Sequence, residues 1–275
     1  MLRLPAMLLP LVAACSSPQP EPAGAYQAPS PPQERAPADT PLGGPPPGAT
    51  LVPVVPPYTD ATWKPPPSTR SREEARGEGQ SEQTLSDYLN PGRDSWNQPD
   101  KVIELLGIQP GMILADVGAG SGYFTFRLAQ AAGPQGRVYA PDIDPLAVDM
   151  LQARMDNEWD STTMAEIRSY ICPGHTPWLP MNAVDRALFV DVHFYTADPL
   201  PHWGLQSLQG LRGGMKPGGL VHVIEGHVDQ AGDPIETIAP RAEAIQRNFA
   251  AAGLVLHAEH ALFDDHFYYV FERVK

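Results

Sequence analysis

The hydrophobic pattern of the chain changes at about Ser81. Before it, a short apolar run over residues 4–12 gives way to a stretch in which apolar residues fall irregularly among prolines; after it, brief apolar runs alternate with helical periodicity. The segment NQPDKVIELLGI opens with Pro99 and Asp100, which suit the first turn of a helix, and sets Val102, Ile103, Leu105 and Leu106 at helical spacing. GMILADVG predicts a strand. The glycine-rich turn after it opens a helix through YFTFRLAQAAG, ended by Gly133 and Pro134, and GRVYAPDI predicts a second strand. DPLAVDMLQARM predicts a helix with Asp144 as cap and Pro145 as first residue. AEIRSYI is a weaker strand and VDRALFVDV a strong one. LQSLQGLRGG predicts a helix, GGLVHVIEG a buried strand and TIAPRAEAIQRNFAAAG a helix, before LVLHAEHALF and HFYYVFERV form a strand pair joined at DDH.

Strands alternating with helices predict an α/β fold, a parallel sheet built by right-handed crossovers and finished by an antiparallel pair. A sheet of this kind binds ligands at the carboxyl ends of its strands, where the glycine-rich turn sits.

Composition divides the chain. Of its 33 prolines, more than half fall between residues 16 and 70, a stretch that cannot bury enough apolar area to offset its ordering entropy. Residues 16–70 therefore read as a Pro-rich disordered linker, able to reach roughly 170 Å when extended, and residues 71–275 as one globular domain. The run at 4–12 is far shorter than the roughly 20 residues of a membrane helix. It ends in Val-Ala-Ala-Cys, so residues 1–15 resemble a bacterial lipoprotein signal with Cys15 as the lipidated residue. That places the domain at the cell envelope, lipid-anchored on the periplasmic face; the other reading is an uncleaved disordered N-terminus on a cytoplasmic protein. With Cys15 acylated only Cys172 remains, and no intrachain disulfide can form. The formal charge of −13 disfavours nucleic acid and anionic lipid head groups as partners, so membrane contact is expected only through the anchor.

The candidate chemistry centres on ADVGAGSGYFT. A dinucleotide fingerprint spaces its glycines as G-x-G-x-x-G, whereas Gly118, Gly120 and Gly122 are evenly spaced behind Asp116. That spacing disfavours a nicotinamide-dependent reductase, and the absence of a P-loop lysine excludes a nucleotide triphosphate loop. Asp142 stands 26 residues after Asp116 at the end of the next predicted strand, where an acid can accept hydrogen bonds from both hydroxyls of a ribose; Asp144, beside Pro145, is better placed to cap the helix.

The D-x-G-x-G-x-G order, together with DSWNQPDKVIELLGIQPGMILADVGAGSGYFT and LRGGMKPGGLVHVIEG, resembles the class I S-adenosylmethionine-dependent methyltransferases over residues 94–275. The resemblance implies a Rossmann-like, seven-stranded, mostly parallel sheet with helices on both faces and a C-terminal antiparallel hairpin. It implies S-adenosyl-L-methionine as cofactor, held by Asp116, Gly118, Ala119, Gly120, Ser121, Gly122, Tyr123, Asp142, Ile143 and Asp191. Relatives often carry an acid after the third strand that bonds the adenine amino group. Here that segment is ICPGHTPWLP, without one, so adenine recognition passes to backbone groups or is weak.

The groups placed to act on an acceptor are Asp191, His193 and Tyr195 after the fourth strand, with Glu225 and His227 after the fifth. Each has a plain reading as a rim residue. His222 and Glu225 fall on opposite faces of a strand, which argues against a metal site there. Trp96, Tyr123, Phe124 and Trp178 are candidate pocket walls or ordinary core, and His257, His260 and His266 show no ligand pattern. The leading expectation is a methyltransferase acting on a small molecule; the competing one is a lipid-anchored binding protein that keeps the fold without catalysis. An exported enzyme would also need a supply of a cofactor made in the cytoplasm.

Overall fold

The computed structural model describes residues 58–66, 85–86, 89–227 and 235–274, with backbone alone at residues 91 and 235–239. The lipoprotein-like signal, Cys15 and the linker up to residue 57 lie outside the described residues. Seven strands form one sheet: β1 Ile113–Val117, β2 Arg137–Asp142, β3 Glu166–Ile171, β4 Val184–Val190, β5 Met215–Gly226, β6 Val255–Glu259 and β7 His266–Glu272, in the order β3-β2-β1-β4-β5-β7-β6. All neighbours from β3 to β5 pair parallel, and β7 runs antiparallel to both β5 and β6. The expected Rossmann-like architecture is the one observed.

Each helix forms where the sequence supplies its start and stop. Helix α1, Pro99–Leu106, has Pro at its first position and ends at Gly107 in the left-handed region. Helix α2, Thr125–Ala132, ends at Gly133, and α3, Pro145–Glu158, is capped by the Asp144 side chain, which accepts from Leu146 N at 2.9 Å. Helices α1 to α3 bury Val102, Leu106, Leu128, Ala129 and Leu151 against one sheet face, around Leu114, Val138 and Leu188. Helices α4, His202–Gly214, and α5, Ile235–Ala251, bury Leu208, Leu211, Ile245 and Phe249 against the other, around Phe189, Val223 and Phe271. Among the described residues no helix is long and apolar enough to cross a membrane.

Two boundaries differ from the sequence expectation. Helix α4 starts three residues before LQSLQGLRGG, taking in His202 and Trp203. Strand β6 stops at Glu259, and six residues rather than a tight turn join it to β7, because Leu262 and Phe263 fold onto the α1–α3 side of the core.

The larger departure is at the β3 edge. Residues 172–183, between β3 and β4, form no helix, so no helix of that crossover covers the face of β2 and β3 that carries Tyr139 and Tyr170. Residues 58–66, the last part of the expected linker described here, fill that place. Trp63 packs its ring against Tyr139 and Tyr170 with centroids 5.1 and 4.9 Å apart. Asp60 pairs with Arg137 and accepts from the Tyr139 hydroxyl at 2.6 Å. Residues 58–66, expected as linker, instead form a strap docked on the sheet.

Candidate functional site

Strand β1 delivers its chain into the glycine turn at the carboxyl edge of the sheet. Gly118 N and Ala119 N both donate to Pro141 O, at 2.9 and 3.3 Å, which ties the turn to the end of β2. Gly118, Gly120 and Gly122 have φ of 75°, 55° and 91°, a region that side chains with a Cβ rarely enter. The outer two need glycine for space as well: a Cβ at Gly118 would lie 2.8 Å from Val192 Cγ2, and one at Gly122 would lie 2.5 Å from Leu151 Cδ1. A Cβ at Gly120 would meet nothing within 4 Å. The outer glycines let the turn seat against the protein, and the middle one leaves open space beside it.

Asp142 is aimed at this turn. Its Oδ2 accepts from Gly120 N at 2.8 Å and its Oδ1 from Asp144 N at 2.9 Å, so each oxygen keeps lone-pair capacity for a further donor such as a hydroxyl. Burial pushes its pKa up, with Asp144 adding to the shift, against the backbone bonds that favour the charged form. Ile143, next to it, is 56% exposed, an uncovered apolar side chain at the rim. Asp116 is buried at the end of β1 and accepts from Thr125 Oγ1 at 2.6 Å. Burial pushes its carboxyl up to about 6, with the Asp142 charge adding to the shift and the Thr125 bond opposing it.

Ser121 and Tyr123 serve the turn from behind. Ser121 Oγ donates to Leu85 O at 2.8 Å, and the Tyr123 hydroxyl donates to Asp94 Oδ1 at 2.5 Å. The guanidinium groups of Arg93 and Arg127 each lie 4.3 Å from the Tyr123 ring centre. These contacts anchor the turn to the segment before α1. Phe124 is core, and Trp96 is exposed.

The other half of the crevice lies at the ends of β4 and β5 and the start of β7. Asp191 and His193 both take positive φ, 52° and 65°, which breaks the strand alternation. Asp191 Oδ1 accepts from Gly226 N at 3.2 Å and lies 3.5 Å from His266 Nε2. His193 Nδ1 is 2.5 Å from Glu225 Oε1, while its side chain remains 58% exposed. Glu225 is fully buried, and its Oε1 also accepts from Arg241 on α5 at 2.6 Å. The Glu225 hydrogen bond pushes the His193 pKa up. Burial acts to lower that of His266, yet Asp191 and Asp265 push it up to about 9.

The structure brings together Asp116, the glycines and Asp142 on one side, and Asp191, His193 and Glu225 on the other. Tyr195 is a correction. Its ring is fully buried among Phe189, Phe194 and Phe249, which leaves its phenol no access to an acceptor. His222, on the opposite face of β5 from Glu225, bonds the Tyr268 hydroxyl at 3.0 Å inside the core. Thr125 and Arg241, which hold two of the site carboxylates, were not evident in the sequence. A hydroxyl at the first turn after the glycine motif is the one signal that would have found Thr125.

Residues 92–231 match the model of the ubiE/COQ5 methyltransferase family. The fold is similar to that of a SAM dependent methyltransferase from Aquifex aeolicus, 21% identical, covering 71% of this chain and 100% of that one with a TM-score of 0.60. It is similar as well to a geranyl diphosphate C-methyltransferase from Streptomyces coelicolor A3(2), solved with Mg2+, geranyl diphosphate and S-adenosyl-L-homocysteine, 16% identical over 73% of this chain and 87% of that one at a TM-score of 0.51. At these identities the likeness shows the fold. No curated protein matches the chain.

Proposed function

This chain belongs to the ubiE/COQ5 methyltransferase family, and we propose that it transfers a methyl group from S-adenosylmethionine to a small-molecule acceptor. S-adenosylmethionine is the cofactor, and what it supplies is a methyl group on a sulfonium, open to in-line displacement. The observation that carries the reading is the open space at Gly120 with the Asp142 carboxylate hydrogen-bonded to the same turn. A nucleoside ribose beside that carboxylate would find two acceptors, and its amino-acid end would lie along the peptide groups of 118–122, near Asp116. Ile143 offers its exposed side chain to an aromatic base.

The protein's main task in such a displacement is alignment, which can supply about 7 to 11 kcal/mol of barrier lowering. A general base adds about 10²- to 10⁴-fold. His193 is the group best held for that role. Glu225 takes its Nδ1, so the imidazole is oriented by a buried carboxylate while more than half of its side chain stays exposed. Asp191, tied to Gly226 N and His266, borders the place where the two halves meet.

The net charge of −13 supports an acceptor other than nucleic acid. The Val-Ala-Ala-Cys sequence supports attachment to the cell envelope through Cys15; palmitate labelling that disappears in Cys15→Ala is the expected result, and an unprocessed soluble product overturns it. The function itself is tested by calorimetry of the chain with S-adenosylmethionine and S-adenosylhomocysteine. Binding that is lost in Asp142→Ala is expected. No binding at millimolar cofactor overturns the assignment.

A further inference from the structure

We infer that the strap at residues 58–66 sets the shape of the loop that receives the base of the cofactor, and so acts as a specificity element of the site. The inference rests on the cofactor reading above. The strand order β3-β2-β1 gives the direction. With the sulfonium end at the β1 turn and the sugar at Asp142 on β2, the next ground along the carboxyl edge is the end of β3 and the loop 172–181. Cys172 N donates to Asp142 O at 2.8 Å, so the start of this loop lies directly beside the ribose carboxylate.

The loop has little architecture of its own. It forms no helix or strand, and Trp178 sits at φ 53°. Its first part is held from within and from β3, by Thr176 N on Pro173 O at 3.0 Å and the Tyr170 hydroxyl on Pro177 O at 2.8 Å, and its second part by reciprocal bonds with the strap. Trp63 Nε1 donates to Trp178 O at 3.0 Å, Trp178 Nε1 donates to Lys64 O at 3.1 Å, and Met181 N donates to Tyr58 O at 2.8 Å. The strap in turn is locked to the sheet by Asp60 on Arg137 and Tyr139, and by the Trp63 ring on Tyr139 and Tyr170. The chain of contacts from β2 and β3 through the strap to the loop is continuous, with Trp63 half-buried at its centre.

The chemistry explains why such support matters here. The loop carries no carboxylate near Cys172 to mark the exocyclic amino group of a purine. Peptide groups must then read the ring edge, and a peptide group discriminates only if its position is fixed to a few tenths of an ångström. Residues 58–66 lie outside the stretch that matches the family model.

Calorimetry of the full chain with S-adenosylhomocysteine and with S-inosylhomocysteine, in which a carbonyl replaces the purine amino group, tests the inference. The unaltered protein is expected to prefer the adenine form by about tenfold or more. Trp63→Ala is expected to weaken S-adenosylhomocysteine by about tenfold and to bring the two ligands level. Asp60→Asn and Trp178→Phe, which keep the apolar packing, are expected to shift the preference the same way by less, and they decide the question if Trp63→Ala does not fold. A merely structural strap would lower the melting temperature and leave the preference of the folded protein unchanged; that result, or an unaltered protein with no preference, overturns the inference. Failure of the unaltered protein to bind either ligand removes the cofactor reading and this inference with it, whereas binding with an unmoved preference removes this inference alone.

Discussion

On the cofactor side of the crevice, the glycine turn closes its own backbone bonds, with Gly118 N and Ala119 N on Pro141 O, and its two carboxylates are held by uncharged donors: Asp142 by the N–H groups of residues 120 and 144, Asp116 by the Thr125 hydroxyl. On the acceptor side the groups are ionisable side chains paired with one another: His193 with Glu225, Glu225 with Arg241, Asp191 with His266. The first half is a backbone shape that tolerates little change in any one peptide. The second is a charge arrangement that can be re-tuned by substituting one partner. A fixed cofactor and a variable acceptor call for this division, and it can be tested by perturbing each half.

The largest effect is expected within the turn itself. Gly122→Ala combines a positive φ, costing about 1 to 2 kcal/mol, with a Cβ placed 2.5 Å from Leu151 Cδ1, an overpacking cost of about 1 to 3 kcal/mol. Loss of about 3 kcal/mol in urea unfolding is expected. Gly120→Ala carries only the first cost, because nothing lies within 4 Å of its Cβ. It is expected to remain folded and lose cofactor binding. If Gly120→Ala binds as the parent does, the turn does not face the ligand.

The acceptor half is next. Glu225 is buried, and Arg241, only 12% exposed, loses its buried carboxylate partner in Glu225→Gln. Breaking a buried pair from one side costs about 3 kcal/mol, visible as a lower melting temperature with cofactor affinity nearly unchanged. His266 gives the same half a pH signature. Its folded pKa of about 9 exceeds the unfolded value of about 6.5. The folded state therefore binds the extra proton, and the stabilisation is complete below pH 6.5 and fades as pH rises towards 9. A decline of about 2 to 3 kcal/mol across that window is expected, flattened in His266→Gln; an unchanged slope in that variant would show that the ion pair with Asp191 contributes nothing.

How much of this was legible follows from the same contrast. The glycine turn, the helix starts at Pro99 and Asp144 and the placement of Asp142 at the end of the second strand are written in adjacent residues, and local steric rules decode them. The acceptor half was legible only as a set of names. Positive φ at Asp191 and His193 breaks the strand period just where Tyr195 would have been counted towards the crevice, and turns it into the core. Arg241 reaches Glu225 from a helix that one sequence cannot register against a strand end. The strap hid inside a proline-rich composition from which low burial is expected. Its trace was indirect: a tryptophan at 63, and a β3–β4 crossover with no helical period to cover Tyr139 and Tyr170.

A smaller effect ties the cofactor half to pH. Burial pushes the Asp116 carboxyl up to about 6, and a cationic ligand held beside it would favour the ionised form. Affinity for S-adenosylmethionine should therefore rise as pH rises through 6, with binding about tenfold weaker at pH 5 than at pH 7. Asp116→Asn is expected to bind weakly and without this slope. Thr125→Val removes the hydroxyl bond that favours the charged form, so its midpoint moves upward. A profile flat from pH 5 to 7 in the parent would place the carboxylate out of reach of the ligand's charge.

The smallest effect separates two acids only two residues apart. Asp144 accepts from Leu146 N and begins α3, while Asp142 faces the turn. Asp144→Ala removes the cap but leaves its own N–H to bond Asp142 Oδ1, since that bond belongs to the backbone. Loss of a cap costs about 1 kcal/mol of stability, and cofactor affinity is expected to hold within a factor of two to three. Asp142→Asn should show the opposite pattern. It keeps one acceptor oxygen for Gly120 N but turns its amide nitrogen on Asp144 N and no longer offers an ionised pair to two hydroxyls, a loss of about 1.5 to 3 kcal/mol in binding that exceeds its cost in stability. If both variants lose affinity equally, the ribose assignment at 142 fails. The two carboxylates would then act together as one local electrostatic field, and the division between a shape-defined and a charge-defined half would not hold even at its best-defined point.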